Sequence, residues 1–382
     1  MEPLFEGFIS WIEEGVVQEA WFGEGRKAFT AGASLDFEYL EEDGGWRMMI
    51  FIRSKKELEL RELFVVQSHP FQKQDKLFLN GYQSWTESRE YGINESIPRL
   101  SGPVKKLINT SGDYTFYNNP GKQGRLHSWS FATLRRNEKF ATLWRDALPE
   151  TGYTIFEFQV DQGHIQIRKD VGGMRIKGEM QILEVHIRAF EGTELSAREF
   201  QGVAARPVKQ PATGWTSWYQ YYTDITEQII MDNLRAFGHR EIPIDIFQID
   251  DGWQHAIGDW MEANKKFPEG MKMIADQAHR YGIKAGLWLA PLIVEQKSSI
   301  LEQHQEWLLT HDGEHLVEAG FNPGWGGLLH GKYYTLNLDL PEVRTHLRKV
   351  FRVILDDWGY DLVKLDFLFA AAIIPANGKS RG

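Results

Sequence analysis

Lys364 and Asp366 are the residues whose type and spacing point most directly to chemistry. They lie two positions apart in a predicted strand, Asp361–Phe369, so both side chains point to the same face. A nearby ammonium favours the ionised form of a carboxyl group and lowers its pKa, and a carboxylate nucleophile at an anomeric carbon needs that state. Burying two charged side chains is costly unless they pair with each other or take part in chemistry. The alternative to a nucleophile is therefore a purely structural ion pair.

Two adjacent carboxylates, Asp250 and Asp251, end a second predicted strand, Ile244–Ile249. Acceptor pairs of this kind can bind vicinal hydroxyl groups of a sugar, although Asp before Gly is also common in turns. Trp288 ends the almost wholly apolar segment Ile283–Ala290. Taken alone, this tryptophan is typical of a core residue.

Several other chemistries are excluded or disfavoured. The sequence has no cysteine, so it has no disulfide, thiolate zinc site or cysteine nucleophile. His311 and His315 are four residues apart, but the Asp-Gly pair between them predicts a turn. No phosphate-binding glycine loop or nucleophile elbow is present. We therefore predict no metal site and no cofactor.

The net charge and the apolar runs of the chain limit the classes of partner that it can bind. Its 382 residues include 43 Lys and Arg against 53 Asp and Glu, a net charge of −10, which disfavours nucleic acids and anionic membranes as partners. The start of the chain lacks the features of a signal peptide. The apolar run Phe367–Ile374 is far shorter than the roughly 20 residues of a membrane helix. We expect a cytoplasmic protein that binds neither nucleic acid nor membrane.

Two halves with different periodicity are visible, and they predict two domains. Residues 1–205 contain short aromatic and β-branched segments separated by Gly, Asn and Asp turns, with alternation in Ile165–Arg168, and we predict an N-terminal antiparallel β-sandwich. Residues 206–382 alternate strands and helices, which predicts a parallel sheet. The first predicted strand there is Gly214–Tyr221, followed by a helix from about Thr226.

Helix boundaries in the second half follow from capping residues. The signals are Gly238 as a terminator, Gly282 as the residue after a helix, Ser299 with Glu302 as a capping box, Asp339 as a cap and Pro341 as the first residue of a helix. Either a (β/α)8 barrel or a doubly wound sheet fits this alternation. Because the polar residues lie where the strands end, the barrel is favoured.

Several strings together resemble the α-galactosidases of glycoside hydrolase family 36. No single string is decisive, but their order and spacing are specific. They are Leu79-Asn80-Gly81-Tyr82-Gln83-Ser84-Trp85, Gly214-Trp215-Thr216-Ser217-Trp218-Tyr219, Phe247-Gln248-Ile249-Asp250-Asp251-Gly252-Trp253, Gly258-Asp259-Trp260, Gly286-Leu287-Trp288-Leu289-Ala290-Pro291 and Lys364-Leu365-Asp366-Phe367-Leu368-Phe369.

The resemblance implies a fold and a reaction. The fold is an N-terminal β-sandwich followed by a (β/α)8 TIM barrel, of which about the first four β/α units are present. The reaction is retaining hydrolysis of terminal α-linked galactose in melibiose- or raffinose-type oligosaccharides through a glycosyl-enzyme intermediate. By position, the implied roles are Asp366 as nucleophile, Lys364, Asp250 and Asp251 as sugar-binding residues, and Trp288, Trp218, Tyr219 and Trp85 as residues lining the pocket.

Two departures from the family pattern bear on activity. An arginine found in some members is replaced by the stretch Lys332-Tyr333-Tyr334, which leaves the exact substrate open. The family's acid/base aspartate lies on a later barrel strand, and the residues after Asp366 contain no Asp or Glu. We therefore expect a chain truncated within the barrel, with little turnover of its own. Internal acids, namely Asp259, Glu295 and Asp339, have no argument in their favour.

Two functional alternatives remain from the sequence. One is a non-catalytic carbohydrate-binding fragment that uses the same aspartates and tryptophans for recognition. The other is an α-galactosyl transglycosylase, whose acceptor preference depends on loops that the sequence does not identify. The oligomeric state, including a homo-oligomer, also stays open.

Overall fold

The computed structural model describes residues 5–23, 32–42, 44–82, 86–98, 121–137, 139–191, 212–239, 243–311 and 313–373. These residues divide into two compact units, whose described parts are 5–191 and 212–373. The predicted domain boundary at 205/206 lies outside the described residues.

The N-terminal unit consists of antiparallel strands that are rich in β-branched and aromatic residues. Its strands are β1 (Phe5–Glu13), β2 (Val16–Gly23), β3 (Ala33–Glu42), β4 (Gly45–Ser68), β5 (Lys76–Leu79), β6 (Arg89–Gly92), β7 (Arg125–Trp129), β8 (Phe131–Arg135), β9 (Phe140–Asp146), β10 (Thr154–Gln159), β11 (His164–Lys169) and β12 (Arg175–Glu191). Alternate side chains, such as Ile165 and Ile167 of β11, are buried in its apolar core. The unit is β-rich and antiparallel, as predicted.

The predicted β-sandwich is not confirmed by the strand pairing. In the part of the chain that is described, these strands form one twelve-stranded sheet. Strand β4 is 24 residues long and pairs with β3 and β12 along its first part, then with β1 and β11 along its second part. Because one strand serves both parts, hydrogen bonding runs without a break where a sandwich has a gap between sheets.

The C-terminal unit combines a parallel sheet with helices and a small antiparallel sheet. Its strands are β13 (Gly214–Thr216), β14 (Ile246–Ile249), β15 (Lys284–Leu289), β16 (Ile293–Glu295), β17 (Glu318–Phe321), β18 (Lys332–Thr335) and β19 (Leu362–Leu365). Its helices are α1 (Trp218–Tyr221), α2 (Glu227–His239), α3 (Met271–Arg280), α4 (Ser299–Gln303), α5 (Pro323–His330) and α6 (Pro341–Arg352), the last continuing into a π-helical turn, Val353–Asp357.

The order of strands in the parallel sheet bears on the choice between the two candidate architectures. Among the described residues the order is β13-β14-β15-β19, which is the chain order. A doubly wound sheet reverses its order at a switch point, whereas consecutive strands of a barrel are neighbours. The order therefore agrees with successive β/α units of a barrel. The antiparallel sheet β16-β18-β17 is inserted between the third and fourth parallel strands.

Several predicted element boundaries are wrong. The predicted strand Gly214–Tyr221 stops at Thr216, because Ser217 adopts helical backbone angles and α1 follows. Helix α2 runs through Gly238 to His239. A Cβ atom on Gly238 would lie 2.4 Å from a ring atom of Tyr281, so close ring packing accounts for this glycine.

The predicted caps in the second half have mixed outcomes. Gly282 follows α3 with φ +72°, as predicted, and Pro341 is the first residue of α6. The capping box is wrong: Ser298 is the cap of α4, and its side chain accepts from the Ile300 N–H. Asp339 is not a cap, since Leu340 occupies that position.

Candidate membrane spans and metal-binding clusters are both absent from the described residues. None of their helices is both long and apolar enough for a membrane span. Nor do they contain a group of three or more His, Asp or Glu side chains arranged to hold a metal ion.

Candidate functional site

The candidate site lies where the four parallel strands end. Thr216 pairs with Gln248 and Gln248 with Gly286, and two residues further along β15 Trp288 pairs with Lys364. The carboxyl ends of parallel strands meet at one edge, where barrel active sites are assembled. The sheet thereby brings together side chains from distant parts of the sequence.

Asp250, directly after β14, is a buried carboxylate with four partners. It is 2% exposed. Its Oδ2 atom accepts from Lys364 Nζ at 2.7 Å and Gln248 Nε2 at 3.1 Å, with Thr216 Oγ1 at 3.4 Å. Its Oδ1 atom accepts from the Asp251 N–H at 3.0 Å. Three of these four donors come from three different parallel strands, and together the four hold the carboxylate in one orientation.

Asp251, also buried at 3% exposure, has separate partners. Gln254 Nε2 donates to its Oδ1 atom, and Trp325 Nε1 to its Oδ2 atom, each at 2.7 Å. Burial raises the pKa of Asp251, and these two donors oppose the shift. Trp325 was missed by sequence reasoning. Its only signal there was a lone tryptophan in a glycine-rich stretch.

Asp366 lies immediately after β19. Trp288 Nε1 donates to its Oδ2 atom at 3.1 Å, and the Phe367 N–H donates to its Oδ1 atom at 2.8 Å. The Asp366 N–H donates to the Leu289 carbonyl, which fixes this backbone to the end of β15. Trp288 is 2% exposed and packs edge-on against Trp260, so its indole acts mainly as a buried donor.

The predicted pairing of Lys364 with Asp366 is corrected by the structure. Both residues are placed at the site, but the Lys364 ammonium bonds Asp250, whose side chain is almost fully buried, while 42% of the Lys364 side chain is exposed. The flexible stem of a lysine reaches across β15 to the end of β14. The two-residue spacing indicates that Lys364 and Asp366 share a face of the strand, but it does not indicate that Lys364 pairs with Asp250.

The remaining predicted pocket residues are less well placed. Trp218 and Tyr219 belong to helix α1 instead of the first strand, and Tyr219 is 84% exposed. Ser217 causes the change: its N–H donates to the Gln248 carbonyl and its hydroxyl accepts from the Asp250 N–H, which ends the strand ladder. Trp85 lies outside the described residues.

Two internal acids have structural roles in the unit. Asp259 accepts from the hydroxyl groups of Ser298 and Ser299 and from the Ser299 N–H. Glu295 accepts from the Ile257 N–H, and burial raises its pKa to about 6. Both carboxyls fasten the loop after β14 to the segment around β16. The third, Asp339, donates its N–H to the Asn337 side chain and has no link to the site residues described here.

The arrangement is suited to binding and attacking a neutral polar ligand. Asp250 and Asp251 supply oriented acceptor oxygens, and Lys364 supplies a half-exposed donor. Asp366 is a carboxylate fixed by two N–H donors, as a nucleophile that must meet a defined carbon requires. A carbohydrate, with several adjacent hydroxyl groups, matches this set of donors and acceptors.

Comparison with a family model gives an independent result. The Melibiase family model matches residues 205–372. That range includes Asp250, Asp251, Trp288, Lys364 and Asp366.

Several proteins similar to this chain are α-galactosidases. Alpha-galactosidase Mel36A of Lactobacillus acidophilus is 26% identical over 257 residues, covering 60% of this chain and 33% of that protein. The structure of TtGalA from Thermus thermophilus in complex with stachyose matches with a TM-score of 0.68 and 27% identity, covering 91% of this chain and 68% of that one. AgaA of Geobacillus stearothermophilus, a GH36 enzyme, has the same fold at a TM-score of 0.56 and 15% identity.

This chain spans a third of Mel36A and 68% of TtGalA. The chain is accordingly similar to α-galactosidases, and the part of it that the Melibiase family model matches is residues 205–372.

Proposed function

We propose that the protein containing this chain is a retaining α-galactosidase that hydrolyses terminal α-linked galactose from oligosaccharides. The observation that carries the proposal is the Asp366 carboxylate, fixed by two N–H donors at the strand ends that also carry the buried Asp250 and its partner Lys364. The similarity to α-galactosidases, one of them solved with stachyose, supports the choice of galactose. Asp250, Asp251 and Lys364 bind the hydroxyl groups of the sugar.

The reaction then proceeds in two steps. In the first, an Asp366 oxygen forms a bond to the anomeric carbon while the bond to the leaving oxygen breaks, and that oxygen takes a proton from a general acid. In the second, water forms a bond to the anomeric carbon and gives its proton to the same group, now a base, while the bond to Asp366 breaks. Two displacements at one carbon retain its configuration.

The proton donor is assigned to a later strand of the same barrel, following the family resemblance. Retention needs a second carboxyl about 5–5.5 Å from the nucleophile. Asp259 is engaged by three donors and Glu295 accepts from the Ile257 N–H, so both carboxyls already have structural partners within this unit. The four parallel strands are proposed as the first half of a (β/α)8 barrel, and hydrolysis of stachyose- or raffinose-type substrates as the activity of the complete barrel.

Binding and labelling together test this function. Calorimetry with galactose, and with glucose as the C4 epimer, is expected to show preference for galactose in the wild type and loss of binding in Asp250→Asn. A mechanism-based α-galactosyl inactivator with a good leaving group is expected to label Asp366, as located by mass spectrometry of the digested protein. Asp366→Asn should bind galactose but take no label.

The outcomes separate the alternatives. Galactose binding without labelling of Asp366 would favour the non-catalytic carbohydrate-binding reading. Labelling followed by transfer to an added sugar in preference to water would favour the transglycosylase. Failure of the wild-type chain to bind galactose or to take label would overturn the proposal.

A further inference from the structure

Trp325 reaches the site from an element outside the parallel sheet. Strands β17 and β18 are antiparallel, with Phe321 paired to Lys332, and helix α5 forms the connection at the tip of this hairpin. Asn322 closes the tip: its N–H donates to the Gly331 carbonyl at 2.7 Å, and its side chain accepts from the Gly324 N–H at 2.9 Å. Trp325 therefore lies in a connection whose two ends are joined by hydrogen bonds.

One side of Trp325 contacts the sugar-binding carboxylate. Its Nε1 atom donates to Asp251 Oδ2 at 2.7 Å, a short distance typical of a bond to a charged acceptor. The other carboxylate oxygen accepts from Gln254. Each oxygen of Asp251 therefore has one fixed donor and keeps a further lone pair for a ligand hydroxyl group.

The other side of Trp325 contacts the residue next to the nucleophile. Its ring lies 5.1 Å from the Phe367 ring and 5.2 Å from the Tyr333 ring. Phe367 has a left-handed backbone, φ +53°, and its N–H donates to Asp366. A single indole therefore touches Asp251 directly and the backbone turn of Asp366 through Phe367.

We propose that Trp325 is a positioning residue of the sugar pocket, which fixes the Asp251 carboxylate through its indole N–H and supports the Asp366 turn through Phe367. This inference rests on the proposed function, because it assigns a role within the same galactose site. The ring supplies packing and the N–H supplies a donor, and these two contributions can be separated by substitution. Phenylalanine keeps most of the packing and removes only the donor.

The charges around Asp251 determine the pH effect of removing that donor. Asp250 and Glu295 are acidic groups near Asp251, and Lys266 is the basic group that interacts with it. Burial already raises the pKa of Asp251, and the Trp325 bond opposes that increase. Without the indole N–H, the pKa of Asp251 rises further, so the carboxylate is lost at a higher pH.

The first test measures galactose binding by calorimetry across the acid range, with circular dichroism as the check of folding. Trp325→Phe is expected to bind galactose at least about tenfold more weakly at neutral pH, the loss expected for one hydrogen bond to a charged group. The pH at which binding is half lost should rise. Trp307→Phe is the matched control, since Trp307 stacks on His304 away from the parallel strand ends. It should change neither value.

The second test uses the wild-type chain without any sugar. In a ¹H–¹⁵N spectrum, one indole N–H resonance should shift with the titration of Asp251 and be absent from the spectrum of Trp325→Phe. Absence of any titrating, solvent-protected indole resonance would overturn the inference even if the variant did not fold. Wild-type binding and pH dependence in Trp325→Phe would also overturn it and leave the proposed function standing. Failure of the wild-type chain to bind galactose would instead contradict the proposed function.

Discussion

At the scale of single residues, the site depends on buried carboxylates that are held by donors from other strands. Asp250 receives donors from β13, β14 and β19, and no single strand provides a complete partner set. Burying a carboxylate is unfavourable unless its oxygens are satisfied, so this network stabilises Asp250 in one orientation. In the proposed sugar site, a carboxylate held in this way accepts a hydroxyl group without rearrangement.

Glu295 gives a prediction about stability and pH. It is 6% exposed, its Oε2 atom has no partner among the described residues, and burial raises its pKa from 4.5 to about 6. The folded state thus holds the proton more tightly than the unfolded state. Folding stability therefore falls as the pH rises from about 4.5 to about 6. Glu295→Gln removes this dependence.

Urea unfolding at about pH 4 and about pH 7 checks this prediction. Relative to the wild type, Glu295→Gln should gain about 2 kcal/mol between the two conditions, because one pKa unit corresponds to about 1.4 kcal/mol. Glu302→Gln, which removes an exposed carboxyl group from the next helix, controls for the change in net charge. An identical difference from the wild type at both pH values would contradict the assigned pKa shift of Glu295.

At the scale of elements, a tight turn after β14 aims the two aspartates. Gly252 has φ +114°, and a Cβ atom there would lie 2.7–3.1 Å from backbone atoms of Thr223. The backbone of this turn therefore packs against a second backbone segment that cannot easily move. The glycine is required both for its dihedral angle and for the space it leaves.

Replacing Gly252 should be more damaging than replacing another glycine with positive φ. Gly282 has φ +72° and nothing within 4 Å of its hypothetical Cβ. Gly282→Ala is expected to cost about 1 kcal/mol, from backbone strain alone. Gly252→Ala is expected to cost roughly 3 kcal/mol, since steric overlap adds to strain, and to weaken galactose binding. Chemical denaturation of the two variants checks this, and equal losses would refute the steric argument.

Sequence patterns predicted some elements well because hydrophobic periodicity and capping residues, which act over a few neighbouring positions, determine them. The apolar segment before Asp250 and the helix after Pro341 carry strong periodic or capping signals, and both are present. The end of the first strand was not predictable, since it depends on Ser217 bonding to β14 residues about thirty positions away. Trp325 was missed for the same reason. Its partner, Asp251, is 74 residues distant, and no local pattern encodes that contact.

At the scale of the molecule, the chain combines a β-rich unit with a four-stranded parallel β/α unit, as found within its described residues. Its sequence divided correctly into these two kinds of structure, because period-two alternation and alternating strand and helix signals differ clearly. The continuous sheet of the first unit was not predictable from the sequence. It depends on which distant strands pair with each other, and no local pattern encodes that pairing. Cytoplasmic location and oligomeric state stay predictions.

The last prediction tests the proposed assignment of the acid/base to a later strand. If the nucleophile is in place and the acid/base is on a later strand, an activated leaving group should react, since it departs without protonation. The 382-residue chain should therefore become galactosylated at Asp366 by p-nitrophenyl α-galactoside, with a burst of nitrophenol. Raffinose, whose leaving group needs a proton, should react at least about 10²-fold more slowly, the usual contribution of a general acid.

Stopped-flow absorbance and product analysis measure these two rates, and Asp366→Asn is the control that should abolish the burst. External azide, a nucleophile that needs no general base, should speed release of the galactosyl group and yield galactosyl azide. Raffinose hydrolysis within tenfold of the aryl substrate would contradict the assignment, because it would require an effective proton donor among these 382 residues. Glu295→Gln and Asp259→Asn would then identify whether one of the two buried acids supplies that proton.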